Sequence, residues 1–129
     1  ITSRRTSEKI KTILYEKMSS FAQIWLGEGK NPYEYALYNS KHFIITSDST
    51  SMISEASISG KPIYIYKLPY KRKSIRLDRF HEEFRKLNIT RDIINTNILE
   101  NWSYEKLNES ERIAGIIKER IIQGNYESR

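Results

Sequence analysis

Short β-branched runs alternate along the chain with stretches whose apolar residues recur at helical spacing. Ile10, Ile13, Leu14 and Met18 fall on one helical face, which predicts a helix over 7–18 with Thr6 or Ser7 as its N-cap. The extended start before it reads as a short strand, so the chain opens as strand, turn, helix. Residues 21–26 form a second β-prone run ending at Gly27, and Gly29 and Pro32 mark 28–32 as a loop. Pro32 suits the first turn of a short helix over 33–38, where its missing N–H would have no partner anyway. Residues 42–46 read as a buried strand, 47–51 as a small polar turn and 52–58 as a helix that Gly60 ends.

A β-branched and aromatic run over 62–68 predicts another strand, followed by a basic loop over 69–74. Helical spacing returns with Ile75, Leu77, Phe80, Phe84 and Leu87. Residues 88–103 read as irregular or briefly helical. A last helix, from 103 or 108 to 123, would bury Ile113, Ala114, Ile117 and Ile121. Strands separated by helices imply a mostly parallel sheet, because parallel neighbours require crossover connections. The expected fold class is therefore α/β, a Rossmann-like three-layer α/β/α arrangement with helices on both faces. No internal repeat or long linker interrupts it, so residues 1–129 read as a single domain.

Composition narrows the function classes. A hydrophobic fraction of 38% and a charged fraction of 29% are those of a globular protein, and no apolar run approaches the roughly 20 residues of a membrane span. With no cysteine there is neither a disulfide nor a thiolate zinc site, and His42 and His81 are the only imidazoles. No metal or cofactor is expected. The lack of cysteine fits a cytoplasmic location, with room for a peripheral contact at a membrane surface. The opening Ile1-Thr2-Ser3, without an initiator Met or a signal-like apolar segment, reads as part of a longer chain.

The net charge of +6 admits an anionic partner: nucleic acid, acidic lipid or a phosphorylated small molecule. Basic residues concentrate at Lys71, Arg72, Lys73, Arg76 and Arg79, but Asp78, Glu82 and Glu83 follow closely. Without a basic face interleaved with aromatics, the stretch reads as a solvated loop and helix face. Nucleic acid is not the expected partner.

Chemistry is best placed at the turn Thr46-Ser47-Asp48-Ser49-Thr50-Ser51. Ligands of open α/β sheets gather at the C-terminal ends of strands, and free amides at the next helix's N-terminus favour an anion. A carboxylate such as Asp48 repels phosphate unless it caps the helix or bonds a sugar hydroxyl. Glu55, one turn on, is placed to accept two hydrogen bonds from a ribose diol. The plainer reading has Ser49 or Ser51 merely capping the helix and Glu55 closing a capping box. Arg4 and Arg5, between the first expected strand and helix, would lie at the same edge and pair with a diphosphate; as surface residues they would simply be solvated.

A resemblance sharpens this picture. Asn31-Pro32-Tyr33, the string Ile45-Thr46-Ser47-Asp48-Ser49-Thr50-Ser51-Met52-Ile53-Ser54-Glu55-Ala56 and Ser59-Gly60-Lys61-Pro62 resemble the mitochondrial-fission ELM-type family. So do Arg79-Phe80-His81, Leu87-Asn88-Ile89-Thr90-Arg91, Trp102, Tyr104, Leu107-Asn108 and the opening Thr2-Ser3-Arg4-Arg5-Thr6, where Ser7 replaces the usual proline. Bacterial members of that family are often labelled nucleoside-diphosphate-sugar epimerases or glycosyltransferases. The resemblance implies a two-domain GT-B-like architecture of which this chain is the C-terminal, donor-binding half, partnered by an N-terminal domain that the chain lacks.

By similarity to the donor element of the GlcNAc transferase of peptidoglycan lipid precursors, Ser49 or Ser51 would meet phosphate and Glu55 ribose. Asn31, in the 29–33 loop, would lie near the nucleobase, with Thr46, Ser47, Asp48 and Met52 completing the donor surface. The implied ligand is a nucleoside diphosphate sugar. Alternatives are nucleotide-sugar epimerisation and a non-catalytic interaction module. His81, Tyr64, Tyr66, Trp102, Tyr104 and Lys61 read as packing, hydrogen-bonding or solvated residues before ligand contacts.

Overall fold

The computed structural model describes residues 1–94, 96–107 and 122. The chain divides into two compact units, Ile1–Ser40 and a second that begins at Lys41.

In the first unit, α1 spans Glu8–Met18. Ser7 caps it by accepting a hydrogen bond from the Ile10 amide, and Glu8 and Lys17 complement the helix dipole at its two ends. Its apolar face is not buried: Ile10 and Ile13 are 47% and 36% exposed. A second helix, α2, spans Tyr33–Asn39 directly after Pro32, as expected.

The two strands expected in this unit do not form. Thr2 reaches the Trp25 carbonyl through both its amide and its hydroxyl, each at 3.0 Å, but this isolated contact makes no ladder. The Thr6 amide donates to Ser3 O and the Ser3 amide to the Thr6 hydroxyl, at 3.1 and 3.0 Å. Local side-chain bonds of this kind occupy the groups that strand pairing needs.

The second unit is built from β1 (Phe43–Thr46), α3 (Thr50–Ser57), β2 (Ile63–Tyr66), α4 (Ile75–Lys86) and β3 (Thr90–Asp92). The strands pair in the order β1-β2-β3, all parallel, with Phe43 opposite Ile63 and Ile63 opposite Thr90. Right-handed crossovers, the rule between parallel strands, bring α3 and α4 to one face of such a sheet. Ile53, Ala56, Ile63, Ile65, Phe84 and Ile89 form the buried core. The α/β class is borne out, as a small parallel sheet with four helices among the described residues.

β3 lies in the stretch expected to be irregular. Its sequence, Thr-Arg-Asp, carries no apolar run; its position is set by its neighbours. Asn88, at φ 57°, turns the chain out of α4, the Ile89 side chain is fully buried, and the Ile93 amide donates to Ile65 O at 3.1 Å.

Residues 100–107 are irregular yet held by side chains. The Glu100 amide donates to the Tyr64 hydroxyl at 2.8 Å. Trp102 packs edge-on against Tyr64, with ring centroids 5.2 Å apart, and donates from Nε1 to Asn88 O at 2.8 Å. The Arg91 guanidinium lies 4.1 Å from the Trp102 ring centroid. Tyr104 donates its hydroxyl to Lys61 O at 2.7 Å, and burial pushes its phenol up to about 12. Trp102 and Tyr104 thus fasten this segment, as expected. Of the expected last helix, 103–107 are irregular, and the remainder, residue 122 apart, lies outside the described residues. No helix among the described residues is long and apolar enough to cross a membrane.

Candidate functional site

Three parallel strands bring their C-terminal ends, Thr46, Tyr66 and Asp92, to one edge of the sheet. Residues 46–51 leave that edge as the turn from β1 into α3, where the sequence places them. The pivot of the turn is Ser47, which is 1% exposed. Its amide donates to Tyr66 O at 3.0 Å, and its hydroxyl accepts from the Leu68 amide at 3.0 Å. Its carbonyl accepts from His81 Nε2 at 2.7 Å. A carbonyl only accepts, so Nε2 is the protonated nitrogen of His81. One buried serine therefore ties β1 to the end of β2 and to α4.

The following residues are arranged differently. Ser49 stands at the N-cap of α3 without a side-chain capping bond; its hydroxyl is 3.2 Å from that of Thr46, and its amide donates to Thr46 O at 3.0 Å. The helix starts at Thr50, two residues earlier than expected, so Ser51 and Met52 lie in its first turn. The amides of Thr50, Ser51 and Met52 have no partner among the described residues. Asp48, Ser51 and Glu55 are exposed, while Thr46, Ser49 and Met52 are half-buried. The arrangement is an amide-lined helix start with hydroxyls beside it, chemistry that suits an anion.

Asp92, Lys67 and Arg85 at this edge were not among the candidates. Asp92, at the end of β3, takes Lys67 Nζ at 2.9 Å and Arg85 at 3.6 Å. The signal that would have found them was the third strand itself, since its end defines the edge. Tyr66 is 53% exposed there, whereas Tyr64 is buried against Trp102. Lys61 precedes β2 and so belongs to the opposite edge, where its Nζ lies 5.9 Å from the Phe43 ring centroid.

The remaining candidates belong to the first unit. Arg4 and Arg5 are exposed in the 3–6 turn. Their expected position beside the phosphate turn rested on a first strand that does not form. Asn31 accepts from the Tyr33 amide through Oδ1 at 3.0 Å, which ties its side chain to the start of α2. Among the described residues no group of three or more His, Cys, Asp or Glu could hold a metal ion.

Comparison with known proteins decides the family. The family model described as Mitochondrial fission ELM1 matches residues 1–121. The chain belongs to the mitochondrial fission ELM1 family. It is similar to the Mitochondrial fission protein ELM1 of Arabidopsis thaliana, 28% identical over 130 residues that cover 98% of this chain and 30% of the relative. It is also similar to Uncharacterized protein RP120 of Rickettsia prowazekii (strain Madrid E), 39% identical over 122 residues that cover 90% of this chain and 34% of the relative. The chain thus spans about a third of the length of these relatives. No solved structure matches it. The resemblance to the ELM-type family in the sequence is borne out.

Proposed function

We propose that this chain is the Rossmann-like donor-binding half of a GT-B-like glycosyltransferase, holding the diphosphate of a nucleotide sugar at the start of α3. The observation that carries the reading is the turn at 46–51. It sits at the C-terminal edge of a parallel sheet, and the first three amides of the helix it opens are unpartnered among the described residues. Those amides and the Ser49 and Ser51 hydroxyls would take the phosphates, and Glu55, exposed one turn on, would accept from the ribose diol. Preorganised donors of this kind stabilise a departing diphosphate without a metal. The other domain of the whole protein would supply the acceptor.

Calorimetry of nucleoside diphosphates and nucleotide sugars on the intact protein tests the reading. Glu55→Ala should weaken binding by about 1–3 kcal/mol, roughly tenfold or more, the range of a lost charged hydrogen bond. If Glu55→Ala and the double variant Ser49→Ala/Ser51→Ala bind every nucleotide sugar as tightly as the parent, the assignment is wrong. A second reading, a non-catalytic interaction module in organelle division, draws on the name of the Arabidopsis relative. An intact, folded protein that binds no nucleotide would favour it, since a fold of this class hosts many functions.

A further inference from the structure

The chain's positive charge is concentrated in one place. Residues 67–80 hold six Lys and Arg against the single acid Asp78, while the rest of the chain holds sixteen against fifteen. Almost the whole net charge of +6 therefore belongs to the connection from β2 to α4 and the first turns of α4.

The fold gives these cations little to do internally. Lys67 pairs with Asp92. Lys71, Arg72, Lys73, Arg76 and Arg79 are exposed and make no ion pair among the described residues. Glu82, which follows the cations in the sequence, is engaged with Lys86 at 2.9 Å one turn further along α4. Cations crowded at the N-terminal end of a helix also oppose its dipole. Their placement is thus a cost to the fold that an external anion would offset.

Apolar side chains stand among them. Tyr70 is 42% exposed and Ile75, the first residue of α4, is 66% exposed. Tyr66, where β2 ends, is 53% exposed. Cations mixed with exposed aromatic and aliphatic side chains match the boundary of an acidic bilayer, where the charge meets headgroups and the apolar groups enter the acyl region. A nucleic acid would use the same cations but leave Ile75 in water.

We propose that residues 67–76, together with Arg79, are a docking surface for an acidic lipid bilayer. This surface is distinct from the donor-binding reading, since its cations and apolar side chains include neither Glu55 nor any residue of the 46–51 turn.

Co-sedimentation of the intact protein with vesicles of phosphatidylcholine, with and without phosphatidylserine, tests it. The protein should sediment with the acidic vesicles only, and rising salt should release it. Each Lys or Arg at an acidic surface multiplies binding about fivefold, so Lys71→Gln/Arg72→Gln/Lys73→Gln should lose on the order of a hundredfold. The control Lys9→Gln/Lys17→Gln/Lys30→Gln removes the same charge elsewhere and should bind like the parent. Ile75→Ser should weaken sedimentation without changing charge, which keeps the test decisive if the triple variant melts early. Equal binding to neutral vesicles, equal loss in the control, or undiminished sedimentation of Ile75→Ser would overturn the proposal. Nucleotide affinity measured on the same variants separates a failure here from a failure of the donor site.

Discussion

Ser47 and Ser51 lie four residues apart in one polar string, yet the structure gives them opposite work, and Ser47→Ala exposes the difference. Removing the Ser47 hydroxyl leaves the Leu68 amide, now bonded at 3.0 Å, without an acceptor. The Ser47 amide and carbonyl bonds are backbone groups and persist. The loss is therefore that of one acceptor to a partly buried donor, about 1–3 kcal/mol. Native-state hydrogen exchange reads this directly: protection of the Leu68 amide should fall roughly fivefold to a hundredfold. Ser51→Ala touches an exposed hydroxyl and should leave stability within about 0.5 kcal/mol. If Leu68 exchanges at the parental rate in Ser47→Ala, the buried serine does not hold the turn and the account of the edge is wrong.

Two further outcomes test the segment at 100–107. A phenol whose folded pKa is raised above its unfolded value of about 10 keeps its stabilising share below pH 10 and loses it as pH climbs towards 12. Alkaline unfolding should therefore steepen across that window in the parent but not in Tyr104→Phe, followed by circular dichroism. Trp102→Ala removes the edge contact with Tyr64 and the bond to Asn88 O. It should cost about 3 kcal/mol in denaturant unfolding, and a change under about 0.5 kcal/mol would show that the segment does not cover Tyr64.

What was legible in the sequence follows from where each signal is local. β1 and β2 are continuous apolar runs, Phe43-Ile44-Ile45 and Ile63-Tyr64-Ile65, and α4 repeats its apolar residues at helical spacing; of the two strands only β2 is buried, whereas β1, expected to be buried, leaves Ile44 55% exposed. Those patterns identify an element without reference to its neighbours. β3 could not be read in that way: Thr90-Arg91-Asp92 becomes a strand because Ile63 and Ile65 offer backbone partners and Ile89 is drawn into the core. The opposite error arose at residues 1–3 and 21–26, where β-prone residues lack a ladder. At the candidate site, the position of the turn was legible from strand, polar run and helix. The division of labour within it was not, because the burial of Ser47 depends on Leu68 and His81, remote in sequence.

Electrostatics at the sheet edge distinguish the two proposed surfaces, although both concern anions. The loop after β2 offers mobile-ended cations on exposed side chains, whose attraction to a charged surface falls as salt shortens the Debye length from about 10 Å at 0.1 M to 3 Å at 1 M. The start of α3 offers fixed amides at hydrogen-bond range, where short contacts rather than a long-range field hold the ligand. Asp48 strengthens the contrast: its exposed carboxylate beside the amides opposes indiscriminate anion capture and favours a ligand that also presents hydroxyls. A diphosphate that carries a sugar meets that condition; a bare phosphate does not. Salt should therefore strip the protein from acidic vesicles at concentrations where nucleotide-sugar binding largely survives, because the first depends on summed charge and the second on geometry.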